Sequence, residues 1–150
     1  MPPHEIAPFE ILLLEDEPAD AYLIKLTLKE NKVFCNVHHV EDGVEGLAFV
    51  RREGQYADVP RPDLILLDLN MPRMDGREFL REIKADSDLR SIPVLVLTTS
   101  SAERDIHESY MSGASGFVTK PVEMDRFSEI MRQIGDYWFV AVRLQGKDAE

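Results

Sequence analysis

The chain has 150 residues, of which 44% are apolar and 8% aromatic, and this size and composition are typical of one folded domain with a single substantial core. Its 28 acidic and 17 basic side chains give a formal net charge of −11, and a surface of that sign repels the phosphates of nucleic acids. We therefore expect no direct nucleic-acid binding.

The cysteine content and the N-terminal residues bear on the compartment. The single cysteine, Cys35, cannot form an intrachain disulfide, and no Cys/His cluster indicates structural zinc. Residues 1–8 lack a basic segment followed by an apolar one, so they predict a flexible arm rather than a signal peptide. No apolar run approaches the roughly 20 residues that a bilayer-spanning helix needs. These features predict a cytoplasmic protein with no membrane segment.

The first part of the chain predicts two strand-helix units. Residues 11–14 are an unbroken apolar run, typical of a parallel strand that is covered on both faces. Pro18 predicts the start of a helix, because its missing N–H is harmless at that position. The mixed run 34–40 predicts an edge strand, and Asp42-x-x-Glu45 predicts the start of a second helix. The apolar stripes predicted for these helices are Ala19, Leu23 and Leu26, and Val44, Leu47 and Ala48.

The pattern continues after a long surface loop at residues 54–62. Apolar runs at 64–67 and 94–97 predict two more central strands, and 116–120 predicts a second edge strand. The intervening helices begin after a capping residue three positions before a glutamate, at Asp75 and at Ser100. The remaining apolar stripes are Phe79, Leu80 and Ile83; Ile106 and Tyr110; and Met124, Phe127, Met131 and Ile134.

Five strand-helix units in succession predict one α/β domain with a doubly wound parallel sheet and helices on both faces. In such sheets, sites lie outside the carboxyl ends of the strands. The residues at those ends are Glu15, Asp16, Asp68, Thr98 and Lys120. If the first and third strands are neighbours, the three carboxylates share one small pocket.

Three carboxylates in one pocket repel one another unless a cation lies among them. Oxygen ligands that leave room for water and phosphate suit Mg²⁺, and the backbone carbonyl of Asn70 is placed to complete the set. With Mg²⁺ and Lys120 the pocket is close to neutral and can accept a phosphoryl group. Asp68 is then the candidate nucleophile, Lys120 would neutralise developing charge, and Thr98 would donate a hydrogen bond to a phosphoryl oxygen.

The motifs LLLEDEP, LILLDLNMPRMDG, IPVLVLTTS and GASGFVTKP resemble those of the CheY-like receiver domains of two-component response regulators. The resemblance covers residues 9–138 and implies a five-stranded flavodoxin-like sheet with strand order 2-1-3-4-5. It implies a stoichiometric phosphoacceptor with at most slow self-dephosphorylation, and a sensor histidine kinase as partner.

The resemblance also assigns a role to each matching position. It implies that Asp68 accepts the phosphoryl group and that Asp16, Asp68 and the Asn70 carbonyl bind Mg²⁺. Glu15, where many relatives have a second aspartate, would support the ion through water. Lys120 would contact the phosphoryl group. The implied switch pair is Thr98 and Phe117, which would reshape the face formed by the fourth helix, the fifth strand and the fifth helix. Phe117 stands where many relatives have a tyrosine.

Within the family the chain is most similar to regulators paired with bacterial phytochrome-type kinases. The extended loop 54–62, the stretch RPDLILLDLN and the ending at residues 137–139 carry this similarity. Residues 139–144 of the extension 139–150 stay apolar after the last predicted receiver helix. This run could fold back on its own domain, but the preferred interpretation, which relatives in this group imply, is a dimer arm that packs on a second copy. The candidate arm residues are Trp138, Phe139, Val140, Val142 and Leu144.

Two other functions use similar sheets. A magnesium-dependent phosphatase or phosphotransferase with an aspartyl nucleophile usually has a second aspartate two residues later as general acid, and this chain has Asn70 there. A flavin-binding protein needs a phosphate-cradling loop after the first strand, where the acidic residues 15–17 repel phosphate.

His38 and His39 are predicted to point to opposite faces of a strand, so they do not form one metal site.

Overall fold

The computed structural model describes residues 8–30, 35–69, 71–98, 113–119 and 125, with the backbone alone at positions 98 and 117–119. The described elements, in chain order, are β1 (Phe9–Leu14), α1 (Pro18–Glu30), β2 (Cys35–Val40), α2 (Gly43–Val50), a short 3-10 helix (Gly54–Tyr56), β3 (Leu64–Asp68), α3 (Gly76–Ala85), β4 (Val94–Thr98) and β5 (Gly116–Thr119). The predicted alternation of strands and helices is confirmed over this part of the chain.

The described strands form one parallel five-stranded sheet in the order β2-β1-β3-β4-β5. β1 lies between two partners, so that Leu12 is opposite His38 on one side and Ile65 on the other. The mixed-composition strands β2 and β5 lie at the edges, as predicted. The fold class and the strand order implied by the family resemblance are therefore confirmed.

Alternation along the strands divides the core between the two faces of the sheet, because successive side chains of a strand point in opposite directions. Leu12 and Leu14 pack with the buried residues of α2 and α3, whereas Ile11 and Leu13 pack with α1. All four side chains are fully buried. A strand that is apolar at every position is thus explained by helices on both sides of it.

The buried face of α1 differs from the sequence prediction. The helix begins at Pro18 as expected, but it buries Ala21, Ile24 and Leu28 against the sheet. Leu23, which the predicted stripe had placed in the core, is 51% exposed. The predicted stripe was wrong because α1 carries two apolar stripes at helical spacing, and only the packing against the sheet decides which one is buried.

The two predicted aspartate caps of α2 and α3 are confirmed. An Oδ1 atom of Asp42 accepts from the Glu45 backbone N–H at 2.8 Å, and Asp75 accepts from Glu78 at 3.0 Å. The predicted apolar stripe of α3 is buried throughout. In α2, Leu47 is buried, but Val44 is 38% exposed, and two residues near the helix end, Phe49 and Val50, are buried instead.

The long loop after α2 contacts that helix through Tyr56. The Tyr56 hydroxyl donates to Glu45 Oε2 at 2.6 Å, and the Tyr56 ring packs against Phe49 with centroids 5.4 Å apart. Burial, followed by the hydrogen bond to Glu45, raises the pKa of the Tyr56 hydroxyl. The phenol therefore remains a hydrogen-bond donor at neutral pH.

Several predictions concern residues outside the described ranges. These are residues 1–7 of the arm predicted at 1–8, the helices predicted after Ser100 and around Met124, and the extension 139–150. Among the described residues, no helix has the length and apolar character needed to cross a membrane.

Candidate functional site

The carboxylates of Glu15, Asp16 and Asp68 meet at the carboxyl ends of two neighbouring strands. One oxygen from each side chain lies within 4.8 Å of the others. Glu15 is fully buried and Asp68 is 4% exposed, whereas Asp16 is half-buried at the mouth of the cluster. The convergence predicted from the sequence is thus confirmed, and it follows directly from the pairing of β1 with β3.

Contacts with β2 and with Glu17 hold Glu15 in place. The Glu15 N–H donates to the Val40 carbonyl at 3.0 Å, and the Glu15 carboxylate accepts from the Glu17 N–H at 3.2 Å. The Glu15 carbonyl lies 2.6 Å from Nε2 of His39, and because a carbonyl only accepts, this nitrogen carries the proton. The peptide group between Glu15 and Asp16, just after β1, is therefore held by a side chain of the neighbouring strand β2.

Asp68 is the last residue of β3, and the loop that follows it closes tightly. The Gly76 N–H donates to the Leu69 carbonyl at 3.0 Å, which brings the start of α3 back to the end of β3. A side chain at position 76 would place its Cβ 2.5 Å from the Asp68 carbonyl oxygen. Glycine is required here because α3 begins in direct contact with the backbone of Asp68.

The middle of the same loop is tied to the start of α2. The Gly43 N–H donates to the Met74 carbonyl at 3.0 Å, and Arg73 Nη1 lies 3.2 Å from Asp42 Oδ2. Asp42 therefore uses one carboxylate oxygen to cap α2 and the other to hold Arg73. Arg73 adopts a positive φ of 66°, which L side chains other than Asn and Asp rarely adopt.

The donor set of the cluster fits a hard divalent cation. All three groups are carboxylates, and their mutual repulsion at this spacing is relieved by an ion of charge +2. Mg²⁺ prefers oxygen ligands and usually keeps several waters, so a half-open cluster with Asp16 at its mouth suits it. Among the described residues, this is the one group of three or more His, Cys, Asp or Glu side chains close enough to hold a metal ion.

The remaining predicted site residues are placed by backbone or lie outside the described ranges. Thr98 ends β4, beside the strand that carries Asp68, and pairs with Thr119. Phe117 lies in β5 opposite Val96. Asn70, Lys120 and the candidate arm residues Trp138, Phe139, Val140, Val142 and Leu144 are outside the described residues.

The two adjacent histidines have separate partners. His38 Nε2 lies 2.9 Å from Glu10 Oε1, and its ring packs against Phe49 at 5.2 Å, whereas His39 contacts the Glu15 carbonyl. The sequence analysis missed His39 as a support of the site. It also identified Asp42 only as a helix cap. The sequence carries no signal for either contact, because each depends on how separate segments pack.

The chain matches the response regulator receiver domain family over residues 11–132. It is 41% identical to the response regulator Rcp1 of Synechocystis sp. over 137 residues, which is 91% of this chain and 93% of that protein.

Two solved structures are also similar. The phosphorylated cyanobacterial phytochrome response regulator RcpA is 45% identical, with a TM-score of 0.76, over 88% of this chain and 94% of that one. The Mn²⁺-bound form of Rcp1 is 41% identical, with a TM-score of 0.75, over 88% of this chain and 95% of that one. With the fold, the acidic cluster and a family match over most of its length, the chain belongs to the response regulator receiver domain family of two-component signalling.

Proposed function

We propose that this receiver domain accepts a phosphoryl group on Asp68, with Mg²⁺ bound beside it, and acts as a stoichiometric signalling switch. The observation that supports the proposal is the cluster of Glu15, Asp16 and Asp68 at the ends of β1 and β3. Asp68 combines low exposure with a position on the rigid end of a central strand. A carboxylate held in this way keeps its geometry while a phosphoryl donor approaches.

The transfer step is a displacement at phosphorus. A carboxylate oxygen of Asp68 forms a bond to the phosphorus atom of a phosphohistidine, and the nitrogen–phosphorus bond of that donor breaks. The electron pair of the broken bond stays on the imidazole nitrogen, which takes up a proton from water. The product is an aspartyl phosphate on Asp68 and a free histidine on the donor. Hydrolysis of this product by the chain itself is at most slow.

Asp16, Asp68 and the carbonyl of Asn70 would hold the Mg²⁺ ion, with Glu15 acting through water. When bound, the ion supplies positive charge beside the transferred phosphoryl oxygens. Lys120 would neutralise further charge on the phosphoryl group, and Thr98 would donate a hydrogen bond to it. The position of Thr98 at the end of β4, beside β3, supports this role.

Thr98 and Phe117 would pass the signal to the protein surface. They lie on the adjacent strands β4 and β5, so a change at Thr98 acts on the strand that carries Phe117. The output face would be formed by β5 and the helices predicted on either side of it. This face would act through contact with another protein.

The proposed phosphoryl donor is a phytochrome-type sensor histidine kinase. The support is the similarity to RcpA, whose structure is described as that of a phytochrome response regulator, at 45% identity over 88% of this chain. Because receiver domains recognise their kinases through surface residues, similarity at this level makes a kinase of the same type the first to test.

We also propose that residues 139–150, together with Trp138, form an arm by which two copies associate. The apolar character of Phe139, Val140, Val142 and Leu144 supports this proposal, because such a run needs cover from water. Truncation after Tyr137, followed by measurement of the mass in solution, tests it. The arm proposal requires the mass of the full chain to be that of a dimer and the mass of the truncated chain to be that of a monomer.

The phosphoacceptor proposal is tested with two phosphoryl donors. The chain is incubated with acetyl phosphate, or with an autophosphorylated phytochrome-type kinase, in Mg²⁺ or in EDTA. We expect about one phosphoryl group per chain, labile to hydroxylamine, only with Mg²⁺. Asp68→Asn should abolish labelling. Asp75→Asn is the matched control, because it removes a nearby carboxylate but keeps an equally good helix cap.

Three results would count against the proposal. Labelling that persists in Asp68→Asn would place the phosphoryl group elsewhere. Labelling at full rate in EDTA would show that the phosphoryl transfer does not require a metal ion. Repeated turnover of a phosphomonoester would instead identify a phosphatase with an aspartyl nucleophile.

A further inference from the structure

The loop between Asp68 and α3 is held by an ion pair that the sequence motifs do not predict. Arg73, near the middle of this loop, pairs with Asp42 of the β2–α2 connection at 3.2 Å. Asp42 is 5% exposed, and its other oxygen is engaged by the Glu45 N–H at 2.8 Å. The carboxylate is therefore oriented by α2 before it meets the arginine.

Two further contacts join the same segments. The Gly43 N–H donates to the Met74 carbonyl at 3.0 Å, immediately after Arg73. Position 43 lacks space for a side chain, since a Cβ there would lie 2.6 Å from that carbonyl oxygen. Arg73 is thus held through its side chain, and Met74 through its backbone carbonyl, against the start of α2.

The backbone of Arg73 has a φ of 66°. Residues other than glycine, asparagine and aspartate rarely adopt this conformation. Such a conformation persists only where surrounding contacts impose it. Here the imposing contacts are the ion pair to Asp42 and the hydrogen bond from Gly43. The Arg73 side chain is 56% exposed, and an ion pair at such an exposed site by itself contributes little to the free energy of folding.

We propose that Arg73 and Asp42 are positioning residues for the metal site. Their pairing fixes the path of the loop that leaves Asp68, and so holds Asp68 in the position from which it would bind the ion. This inference rests on the proposed function, in which Asp68 is a Mg²⁺ ligand. It adds a second, indirect way in which a carboxylate supports the site, through loop geometry rather than through contact with the ion.

Removing the charge of Arg73 is a sharp test. A positioning role and a purely electrostatic role predict opposite changes in the affinity for the cation. Removing a positive charge near a cation site should strengthen cation binding if the arginine acts only through its electric field. Removing it should weaken binding if the arginine acts by holding the loop. For Asp42 both explanations predict weaker binding, so Arg73 is the informative residue.

The variants are chosen to preserve the fold. Arg73→Asn removes the charged group and keeps a residue that tolerates positive φ. Asp42→Asn keeps the helix cap, because asparagine caps as well as aspartate does. Arg73→Lys restores a cation, and Arg81→Gln removes an equal charge from an exposed position on α3. The double variant Asp42→Asn/Arg73→Asn measures the coupling between the two residues.

Binding of Mn²⁺ alone to each full-length chain is measured by electron paramagnetic resonance, with Mg²⁺ as competitor. We expect Arg73→Asn and Asp42→Asn to raise the Kd by about threefold or more, which corresponds to an ion pair worth roughly 0.6 kcal/mol. The double variant should be no weaker than the weaker single variant. Arg73→Lys should recover most of the affinity, and Arg81→Gln should not weaken binding. Urea unfolding without metal should give similar midpoints for all five variants.

The proposal is overturned if Arg73→Asn binds Mn²⁺ as tightly as the unmodified chain, or more tightly. Additive losses in the double variant would also overturn it, because they would show that the two residues act separately. The proposed function has its own control, Asp16→Asn, which should abolish binding. If the unmodified chain bound no metal, or Asp16→Asn bound it normally, the proposed function would fail and the positioning role with it. Normal behaviour of those two proteins, with no loss in Arg73→Asn, would remove the positioning role alone.

Discussion

Replacing Gly76 with alanine tests the close contact between α3 and the end of β3. The added Cβ would lie 2.5 Å from the Asp68 carbonyl oxygen and 2.6 Å from the Leu69 Cα. Both are backbone atoms, one in the last residue of β3 and one in the residue that follows it, so neither can move aside as a flexible side chain would. The start of α3 must therefore shift by at least half an ångström, away from the strand that carries Asp68.

Two opposing effects set the size of the change. Alanine is favoured over glycine in a helix by up to about 1 kcal/mol. Overpacking in a rigid environment costs about 1–3 kcal/mol, and a clash with backbone lies toward the upper end of that range. We expect a net loss of about 1–2 kcal/mol in the free energy of unfolding. With a slope of roughly 2 kcal/mol per molar urea, the midpoint falls by about 0.5–1 M.

Urea unfolding followed by circular dichroism measures this loss, and Mn²⁺ binding measures its effect on the site. Gly54→Ala is the matched control, because Gly54 has a φ of 59° but no atom within 4 Å of the added Cβ. It should lose about 1 kcal/mol through backbone strain and bind Mn²⁺ normally. Gly76→Ala should weaken metal binding as well. A Gly76→Ala chain as stable as the parent, with unchanged metal affinity, would refute the reasoning.

Three further predictions concern individual elements. Ile24→Ala should lower the free energy of unfolding by about 2–4 kcal/mol, whereas Leu23→Ala should change it by less than about 0.5 kcal/mol; equal losses in urea would show that the buried face of α1 is misassigned. Asp75→Ala should cost about 1 kcal/mol through loss of the cap on Glu78, and Asp75→Asn should cost almost nothing by the same measurement. Burial, followed by the charge of a nearby glutamate, raises the pKa of the Cys35 thiol from 9.0 to about 11, so iodoacetamide at pH 8 should modify the folded chain about a hundredfold more slowly than the chain in urea. Because the folded chain keeps a proton that the unfolded chain loses, the free energy of unfolding should fall as the pH rises above 9.0.

Much of the fold follows from patterns that are local in the sequence. An unbroken apolar run such as 11–14 can be satisfied only by cover on both faces, and the structure provides it. The caps at Asp42 and Asp75 lie three residues from the amides that they accept from, so their chemistry is visible in the sequence. The carboxylates of the site could be predicted for the same reason, since each follows or ends a recognisable strand.

What could not be predicted depends on packing between distant segments. In α1, Leu23 and Ile24 are adjacent apolar residues, and helical spacing alone gives no preference between the stripes that contain them. The pairing of Arg73 with Asp42 joins two connections from different parts of the chain. The contact of His39 with the Glu15 carbonyl requires the register between β1 and β2 to be known.

The central position of β1 has a consequence for the synthesis of the protein. Leu12 is made early, yet its partner Ile65 in β3 follows more than fifty residues later. At about 5–20 residues per second, the apolar segment 11–14 waits for several seconds before the second side of its strand can be paired. During that interval it is an uncharged strand with an open edge, the kind of segment that associates with other chains. We expect nascent chains shorter than about 70 residues beyond the ribosomal tunnel to require chaperone protection.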